Sequence, residues 1–191
     1  MKISSSNNKI WFTSDLHFGH KRIIEFCPST RPYSSVEEMN GDIISKWNSQ
    51  VSDNDIVFIL GDVSFARENV TTQCLSQLRG RLSLVTGNHD NGLLPHRFER
   101  VYNNYTEVKI DNIDVVLCHY PIYEWNKMHY GSYHLFGHVH GKPTPVVGRL
   151  MDVGWDVKGG LFSWEQVVEQ LENKPIRLHG DSTYWQTGNM M

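Results

Sequence analysis

Polar clusters that follow short apolar runs are the part of this sequence whose residue types suit catalysis or metal binding. There are five of them, and they lie at Asp15 and His17, at Asp62, at Asn88, His89 and Asp90, at His119, and at His138 and His140. Each run has the length of a buried β-strand, and ligands of layered α/β proteins gather at the carboxyl ends of strands. We therefore expect the five clusters to converge on one site.

The spacing inside two of the clusters indicates how their side chains could reach a common site. Asp15 and His17 are two residues apart in the chain, and so are His138 and His140. Residues at positions i and i+2 of an extended chain project to the same side. An extended backbone would thus bring both members of each pair into one site, and the neighbouring glycines allow sharp turns and close approach.

Together the clusters supply a set of donors for metal ions. Imidazole nitrogens with carboxylate and amide oxygens, and without any thiolate, suit Mn, Fe, Zn or Ni. The seven donors are Asp15, His17, Asp62, Asn88, His119, His138 and His140. This is too many for one tetrahedral ion but enough for two ions, if one carboxylate bridges them. We expect two divalent metal ions, with Mn as the first choice and Fe, Zn or Ni as alternatives.

The order of the clusters resembles a known protein family. The series D-x-H, G-D, G-N-H-D, H and G-H-x-H is similar to that of the calcineurin-like metallophosphoesterase superfamily, in its compact single-domain bacterial or phage type. The resemblance covers residues 11–154, and the complete series in order makes it specific. It implies an α/β fold, a four-layer sandwich of two mixed β-sheets flanked by helices (the metallo-dependent phosphatase fold).

The same resemblance implies a role for each residue of the clusters. One metal ion would be held by Asp15, His17 and His140. A second ion would be held by Asn88, His119 and His138, and Asp62 would bridge the two. His89 stands where the family has a histidine that protonates the leaving group. Asp90 stands where an acidic residue can orient that histidine.

The activity implied is hydrolysis of phosphate esters by a metal-bridged hydroxide, with a phosphorylated small molecule or a nucleotide as substrate. Two divalent cations, with the carboxylates of Asp15 and Asp62 and a hydroxide, leave a positive centre that attracts phosphate. We expect a phosphodiesterase acting on nucleotide-like compounds. The alternatives are a phosphomonoesterase and a catalytically silent metal-binding interaction module of the same fold. Amidohydrolases and β-lactamase-like metalloenzymes place their histidine pair early in the chain, whereas His138 and His140 come late.

The basic run after the first pair is a candidate for substrate binding. Residues 19–22 could open a helix, and helix N-termini attract anions. His20 and Arg22 could therefore contact substrate phosphate, and Arg31 and Arg67 are further candidates of the same kind. A solvated position near a loop is the alternative for each of these side chains.

Strands that alternate first with helices and later with hairpins predict the mixed α/β class. Strands are predicted over residues 9–14, 55–60, 81–86, 107–110, 113–118, 133–136 and 146–153. Helices are predicted over 70–78 and 164–171, and another follows the capping box of Ser35 and Glu38 as far as Gln50. The tryptophans expected to pack in the core are Trp47, Trp125, Trp155 and Trp164.

Composition sets the class of protein more than its function. The chain has 191 residues, 39% of them hydrophobic, a formal net charge of -3 and three cysteines without C-x-x-C spacing. We expect a single domain over 1–191, with reduced thiols and a cytoplasmic location. The weak acidity gives no sign of general nucleic-acid binding, and no apolar run approaches the roughly 20 residues of a membrane span.

Overall fold

The computed structural model of the chain describes residues 1–90 and 97–177. Within these residues there are ten strands, in chain order β1 Lys2–Ile3, β2 Ile10–Thr13, β3 Ile56–Ile59, β4 Arg81–Val85, β5 Arg100–Tyr102, β6 Tyr105–Ile110, β7 Ile113–Cys118, β8 Tyr133–Phe136, β9 Leu150–Asp152 and β10 Phe162–Ser163. Its α-helices are α1 Lys21–Phe26, α2 Val36–Gln50, α3 Glu68–Ser76, α4 Trp155–Lys158 and α5 Trp164–Leu171. A 3₁₀ turn spans Met128–Tyr130.

Two mixed five-stranded sheets, flanked by helices, form the fold. Sheet I has the order β10-β2-β3-β4-β5, in which β2 to β5 are parallel and β10 is antiparallel. Sheet II has the order β1-β6-β7-β8-β9, with β6 and β7 antiparallel and the other pairs parallel. The predicted α/β sandwich of two mixed sheets is confirmed.

Alternating side chains along the strands divide the core into layers. From β2, Trp11 packs on the helical side with Trp47 of α2, whereas Phe12 packs between the sheets with Trp164 of α5. The outer face of sheet II is covered by a third cluster, in which Phe136 packs with Trp125. The four tryptophans predicted to lie in the core are all buried. No helix among the described residues has both the length and the apolar character that crossing a membrane requires.

Local sequence patterns correctly predicted the helices α2 and α5 and the β6–β7 hairpin. The Ser35 side chain accepts a hydrogen bond from the Glu38 N–H at the start of α2, and α5 has the predicted bounds. The predicted hairpin is the β6–β7 pair, with Asp111 and Asn112 in left-handed conformation at its turn.

The predicted strand over 146–153 is wrong in its first half. Only Leu150–Asp152 pair with β8, because Gly148 has a φ of 122° and interrupts the extended chain. Residues 178–191 lie outside the described residues, and the single domain over 1–191 stays a prediction.

Candidate metal centre

Five of the predicted metal ligands have left-handed backbone at the carboxyl ends of their strands. Their φ angles are 56° at Asp15, 54° at His17, 55° at Asp62, 70° at His138 and 52° at His140. A side chain in this region costs about 1–2 kcal/mol per residue relative to ordinary backbone. The proposal that the i, i+2 pairs reach the site through extended chain is therefore wrong. Sharp turns aim these side chains, and strain of this kind concentrates at functional sites.

A first group of ligand atoms comes from Asp15, His17 and His140, and these atoms lie within 4.8 Å of one another. Asp15 Oδ1 is 3.8 Å from His17 Nε2. Both atoms are buried and have no hydrogen-bond partner. The other oxygen of Asp15 accepts the His138 N–H at 2.9 Å. Buried polar atoms without partners are costly, so the arrangement fits a cation that both atoms would ligate.

A second group comes from Asp62, His119 and His138, again with ligand atoms within 4.8 Å. His119 Nδ1 lies 2.7 Å from the Leu60 carbonyl oxygen, which can only accept a hydrogen bond. In the neutral ring the proton is therefore on Nδ1, and Nε2 keeps its lone pair. Asn88 Oδ1 lies 3.1 Å from that Nε2. Two lone pairs at this distance fit a shared cation.

Asp62 lies between the two groups. Its Oδ2 is 3.9 Å from His17 Nε2 and 3.5 Å from His119 Nε2. Its Oδ1 accepts the backbone N–H of His89 at 3.1 Å, which fixes the plane of the carboxylate. This is the placement that a bridging carboxylate requires. All seven predicted donors thus meet at one edge of the two sheets.

The protonation states of the histidines also bear on metal binding, since a ligand must be a neutral imidazole. Burial lowers the pKa of His17 and of His138, which keeps both rings neutral at neutral pH. Burial is the largest single influence on the pKa of His140 and lowers it, but the hydrogen bond to Asp156 together with the negative charges of Asp15 and Asp156 outweighs burial and raises that pKa. An incoming cation would have to displace any proton that His140 holds.

Glycine is required before Asn88 and before His138. A Cβ on Gly87 would fall 2.5 Å from Asp62 Oδ1, and one on Gly137 would collide with the Ser14 hydroxyl. The backbone of these two loops thus approaches the carboxylates more closely than any side chain would permit.

Asp90 does not contact the His89 ring. Its Oδ2 accepts the N–H groups of Asp62 and Gly87 at 2.9 and 2.7 Å, and its Oδ1 accepts that of Val63 at 2.9 Å. The carboxylate of Asp90 therefore binds backbone N–H groups and does not orient the His89 ring, contrary to the prediction. The carboxylate ties the end of β3 to the loop after β4, and so positions Asp62 and Asn88.

The His89 side chain is exposed at the rim of the centre. Its ring lies 6.5 Å from the His17 ring and 4.4 Å from that of Phe65, between centroids. A side chain placed here can exchange protons with solvent and with a bound ligand. The role of leaving-group acid stays a prediction.

The two predicted phosphate contacts, His20 and Arg22, both have aromatic partners, and His20 lies beside the centre. His20 stands at the N-cap position of α1 without a capping hydrogen bond from its side chain. Its ring stacks on Phe65 at 4.0 Å, and its Nδ1 lies 3.3 Å from His17 Nδ1. Desolvation lowers the pKa of His20 to about 4, so the ring is neutral at neutral pH. The Arg22 guanidinium lies over the Phe26 ring at 4.8 Å. Contact of either residue with substrate stays a prediction.

An ion pair between Asp156 and Arg31 lies directly behind the centre; the sequence did not indicate Asp156 at all and suggested Arg31 only as a substrate contact. Asp156 is buried, and its Oδ2 lies 2.7 Å from His140 Nδ1. Arg31 is fully buried and hydrogen-bonded to that same carboxylate, so its suggested contact with substrate is wrong. No periodicity or spacing marks this pair, because its members are 125 residues apart.

A third set of close ligand atoms, from Cys27, His140 and Asp156, is a poor cation site. The contact of His140 with Asp156 is a hydrogen bond, and the Arg31 guanidinium already neutralises Asp156. Burial raises the pKa of the Cys27 thiol, which disfavours the thiolate that a metal needs.

Comparison with known proteins places this geometry in a family. Residues 9–153 match the model of the calcineurin-like phosphoesterase superfamily domain. An uncharacterised protein of Methanocaldococcus jannaschii is 39% identical over 112 residues, or 57% of this chain. The match covers 61% of that protein, which is less than two thirds of its length. The Gene 66 protein of Mycobacterium phage L5 is 29% identical over 83% of this chain and 92% of its own length.

A solved structure shares the fold. The crystal structure of a protein of unknown function from Aquifex aeolicus superposes with a TM-score of 0.69 and 21% identity, over 86% of this chain and all of that one. The predicted family is confirmed by the match over residues 9–153. This chain belongs to the calcineurin-like phosphoesterase superfamily.

Proposed function

We propose that this protein is a binuclear metal-dependent phosphoesterase, and that it acts as a phosphodiesterase on nucleotide-like substrates. The observation that carries the proposal is that two ligand groups adjoin at Asp62, whose Oδ2 lies 3.9 Å from His17 Nε2 of the first group and 3.5 Å from His119 Nε2 of the second. In the first group, Asp15 Oδ1 and His17 Nε2 are buried and have no hydrogen-bond partner. Two groups of this composition favour two cations over one.

Two bound divalent cations would supply a water molecule of lowered pKa and a positive clamp for phosphoryl oxygens. The residues of this chain set the charge of that centre. Asp15 and Asp62 bring two carboxylates, while Asn88 ligates without adding negative charge. Burial alone would raise the pKa of Asp15, but the nearby histidines, His17 first, lower it and keep the carboxylate ionised. The nitrogen and oxygen donors suit Mn²⁺, with Fe, Zn or Ni as alternatives.

The leaving group would take its proton from His89. The side chain is exposed at the rim, while its backbone N–H donates to Asp62 Oδ1. The histidine is thereby held beside the bridging carboxylate without acting as a ligand itself. An imidazole within reach of the departing oxygen is a common general acid near neutral pH.

Exposed aromatic rings on both sides of the centre support a nucleotide-like substrate. Phe65 is 39% exposed and packs on the rings of His17 and His89, and Tyr120 is 41% exposed and packs on His119 and His138. Such rings can stack on a base. Because Arg31 is buried behind the centre, it adds no charge at the rim, which favours the single charge of a diester over a monoester.

The direct test is metal-dependent hydrolysis by the purified protein. We expect turnover of bis-p-nitrophenyl phosphate in Mn²⁺ that exceeds turnover of p-nitrophenyl phosphate and is abolished by chelator. The Asp62→Asn variant should lose metal binding, and it should lose activity as a result. Asp114→Asn, which alters a surface aspartate paired with Lys109 and Lys127, should lose neither.

Each alternative function predicts a different result in the same assay. Faster hydrolysis of the monoester would identify a phosphomonoesterase. Two bound Mn²⁺ ions without turnover of either ester would support a silent metal-binding module. Absence of Mn²⁺ binding would refute the binuclear centre.

A further inference from the structure

Arg31 is a fully buried cation, and apart from a contact of Nη1 with Met39 Sδ its hydrogen-bond partners lie next to the candidate metal centre. Its Nη1 donates to the Leu16 carbonyl at 3.0 Å, and its Nη2 donates to the Asp15 carbonyl at 2.6 Å. The same guanidinium grips Asp156 in a bidentate ion pair, with Nε at 2.8 Å and Nη2 at 2.9 Å. A buried arginine that has lost water is tolerated only when its donors are satisfied in this way.

Asp156 in turn contacts His140, on the opposite side of the first ligand group. One of its oxygens contacts His140 Nδ1 at 2.7 Å, and the other accepts the Thr30 hydroxyl at 2.7 Å. The carboxylate therefore fixes the rotation of the His140 ring. It also holds the ring proton on Nδ1, so that the Nε2 lone pair is available to a metal ion.

The pair connects two ligand segments that are distant in the chain. Asp15 and His17 follow β2, whereas His140 follows β8 in the other sheet. Arg31 holds the backbone of the first segment, and Asp156 holds the side chain of the second. This buried ion pair thus helps to set the spacing between their donor atoms, together with the hydrogen bond from the His138 N–H to Asp15 Oδ2.

We propose that Arg31 and Asp156 are positioning residues for one of the two cations, the one bound by Asp15, His17 and His140, and that the other cation does not depend on them. The inference rests on the proposed binuclear function, and it adds that the two ions have separately tunable affinities. Removing an outer partner of a ligating histidine typically lowers metal affinity about 10–100-fold.

Asp156→Asn is the informative substitution because it keeps the size of the side chain. An asparagine amide places its NH₂ either against the donor Nε of Arg31 or against His140 Nδ1. The second arrangement requires the proton on His140 Nε2, which removes the lone pair that the cation uses. Either arrangement weakens the first ligand group.

Equilibrium dialysis with Mn²⁺ alone tests the inference. Wild type should bind two Mn²⁺ ions, and Asp156→Asn should bind one ion normally and the other about 10–100-fold more weakly. Thr30→Val, which removes one hydrogen bond to Asp156, should weaken the same ion less and serves if Asp156→Asn does not fold. The matched control is Asp55→Asn, because Asp55 is also buried and accepts two hydrogen bonds, but at the opposite end of β3.

A second measurement needs neither a variant nor a metal ion. Nitrogen NMR of the metal-free wild-type protein, at a pH where His140 is neutral, should show the proton on Nδ1. A proton on Nε2, or unchanged binding of both ions in Asp156→Asn and Thr30→Val, would overturn the inference and leave the proposed function intact. If wild type binds no second Mn²⁺ ion, the proposed function fails and the inference fails with it.

Discussion

His89 and Asp90 are neighbours in the chain, but their side chains have opposite environments and therefore different roles. His89 is exposed beside the candidate centre, whereas Asp90 is buried on three backbone N–H groups. We expect His89→Ala to keep both Mn²⁺ ions and to lose turnover by about 10²–10⁴-fold for a diester with an alkoxide leaving group. For bis-p-nitrophenyl phosphate, whose leaving group needs no proton, the loss should be much smaller.

Steady-state kinetics on the two diesters, with metal content measured in parallel, checks this prediction. Asp90→Ala should behave differently, because it frees three backbone donors at once. Lower stability and lower metal content should accompany its loss of activity. An equal loss on both diesters for His89→Ala, with both ions bound, would argue against the role of acid.

Phe65 carries the substrate prediction at this scale. Stacking of a base on an exposed aromatic ring contributes about 1–3 kcal/mol, so Phe65→Ala should raise KM for a nucleotide diester roughly tenfold. A methyl-substituted diester without a base should show little change. Tyr105→Ala is the matched control, since Tyr105 is 40% exposed but lies at the start of β6. Equal effects of the two substitutions on KM would contradict a stacking role for Phe65.

Among the structural elements, the loops that follow the strands tolerate substitution of glycine less well than the helices do. Gly87→Ala would push a methyl group to 2.5 Å from Asp62 Oδ1, whereas a Cβ on Gly41 of α2 meets nothing within 4 Å. We expect Gly87→Ala to lose metal binding and to destabilise the protein. Gly41→Ala should stabilise it by about 0.5–1 kcal/mol, through helix propensity. Urea unfolding and Mn²⁺ titration of both variants would test the contrast, and normal metal binding by Gly87→Ala would contradict it.

The elements also show how far sequence patterns reach. The helices α2 and α5 could be placed because a serine cap and an apolar face both act locally. The short strands β1, β5 and β10 carry too few residues for a periodic signal, and the pairing partners of β1 and β10 are distant in the chain. The run over 146–153 contained Gly148, whose left-handed φ could not be read from an apolar pattern.

For the molecule as a whole, the convergence of the seven donors could be predicted and their support could not. The positions of the clusters at strand ends predicted that they converge, and the family resemblance implied that Asp15 and His140 belong to one ligand group, whose ligand atoms lie within 4.8 Å of one another. The ion pair of Arg31 with Asp156 joins the loop after α1 to the helix α4. Only the packed structure creates that contact, and no local rule anticipates it.

His134 makes the stability of the whole molecule depend on pH. The ring is fully buried in β8, where its Nε2 accepts the Ile122 N–H at 3.0 Å, and burial lowers its pKa to about 4. An unfolded histidine titrates near pH 6.5, so below that pH the unfolded chain binds a proton that the folded protein rejects. Stability is therefore full above about pH 6.5 and falls as the pH drops towards the folded pKa.

The linkage gives this loss a magnitude. Between pH 6.5 and pH 5, His134 should cost about 2 kcal/mol of the free energy of unfolding of the metal-free protein. His134→Gln keeps an acceptor for the Ile122 N–H but cannot take up a proton. We expect this variant to be less stable than wild type at pH 7. Its free energy of unfolding should fall less between pH 7 and pH 5, as measured by urea unfolding at these two pH values. Parallel declines in wild type and variant would assign the acid sensitivity to other groups, such as the half-buried His20.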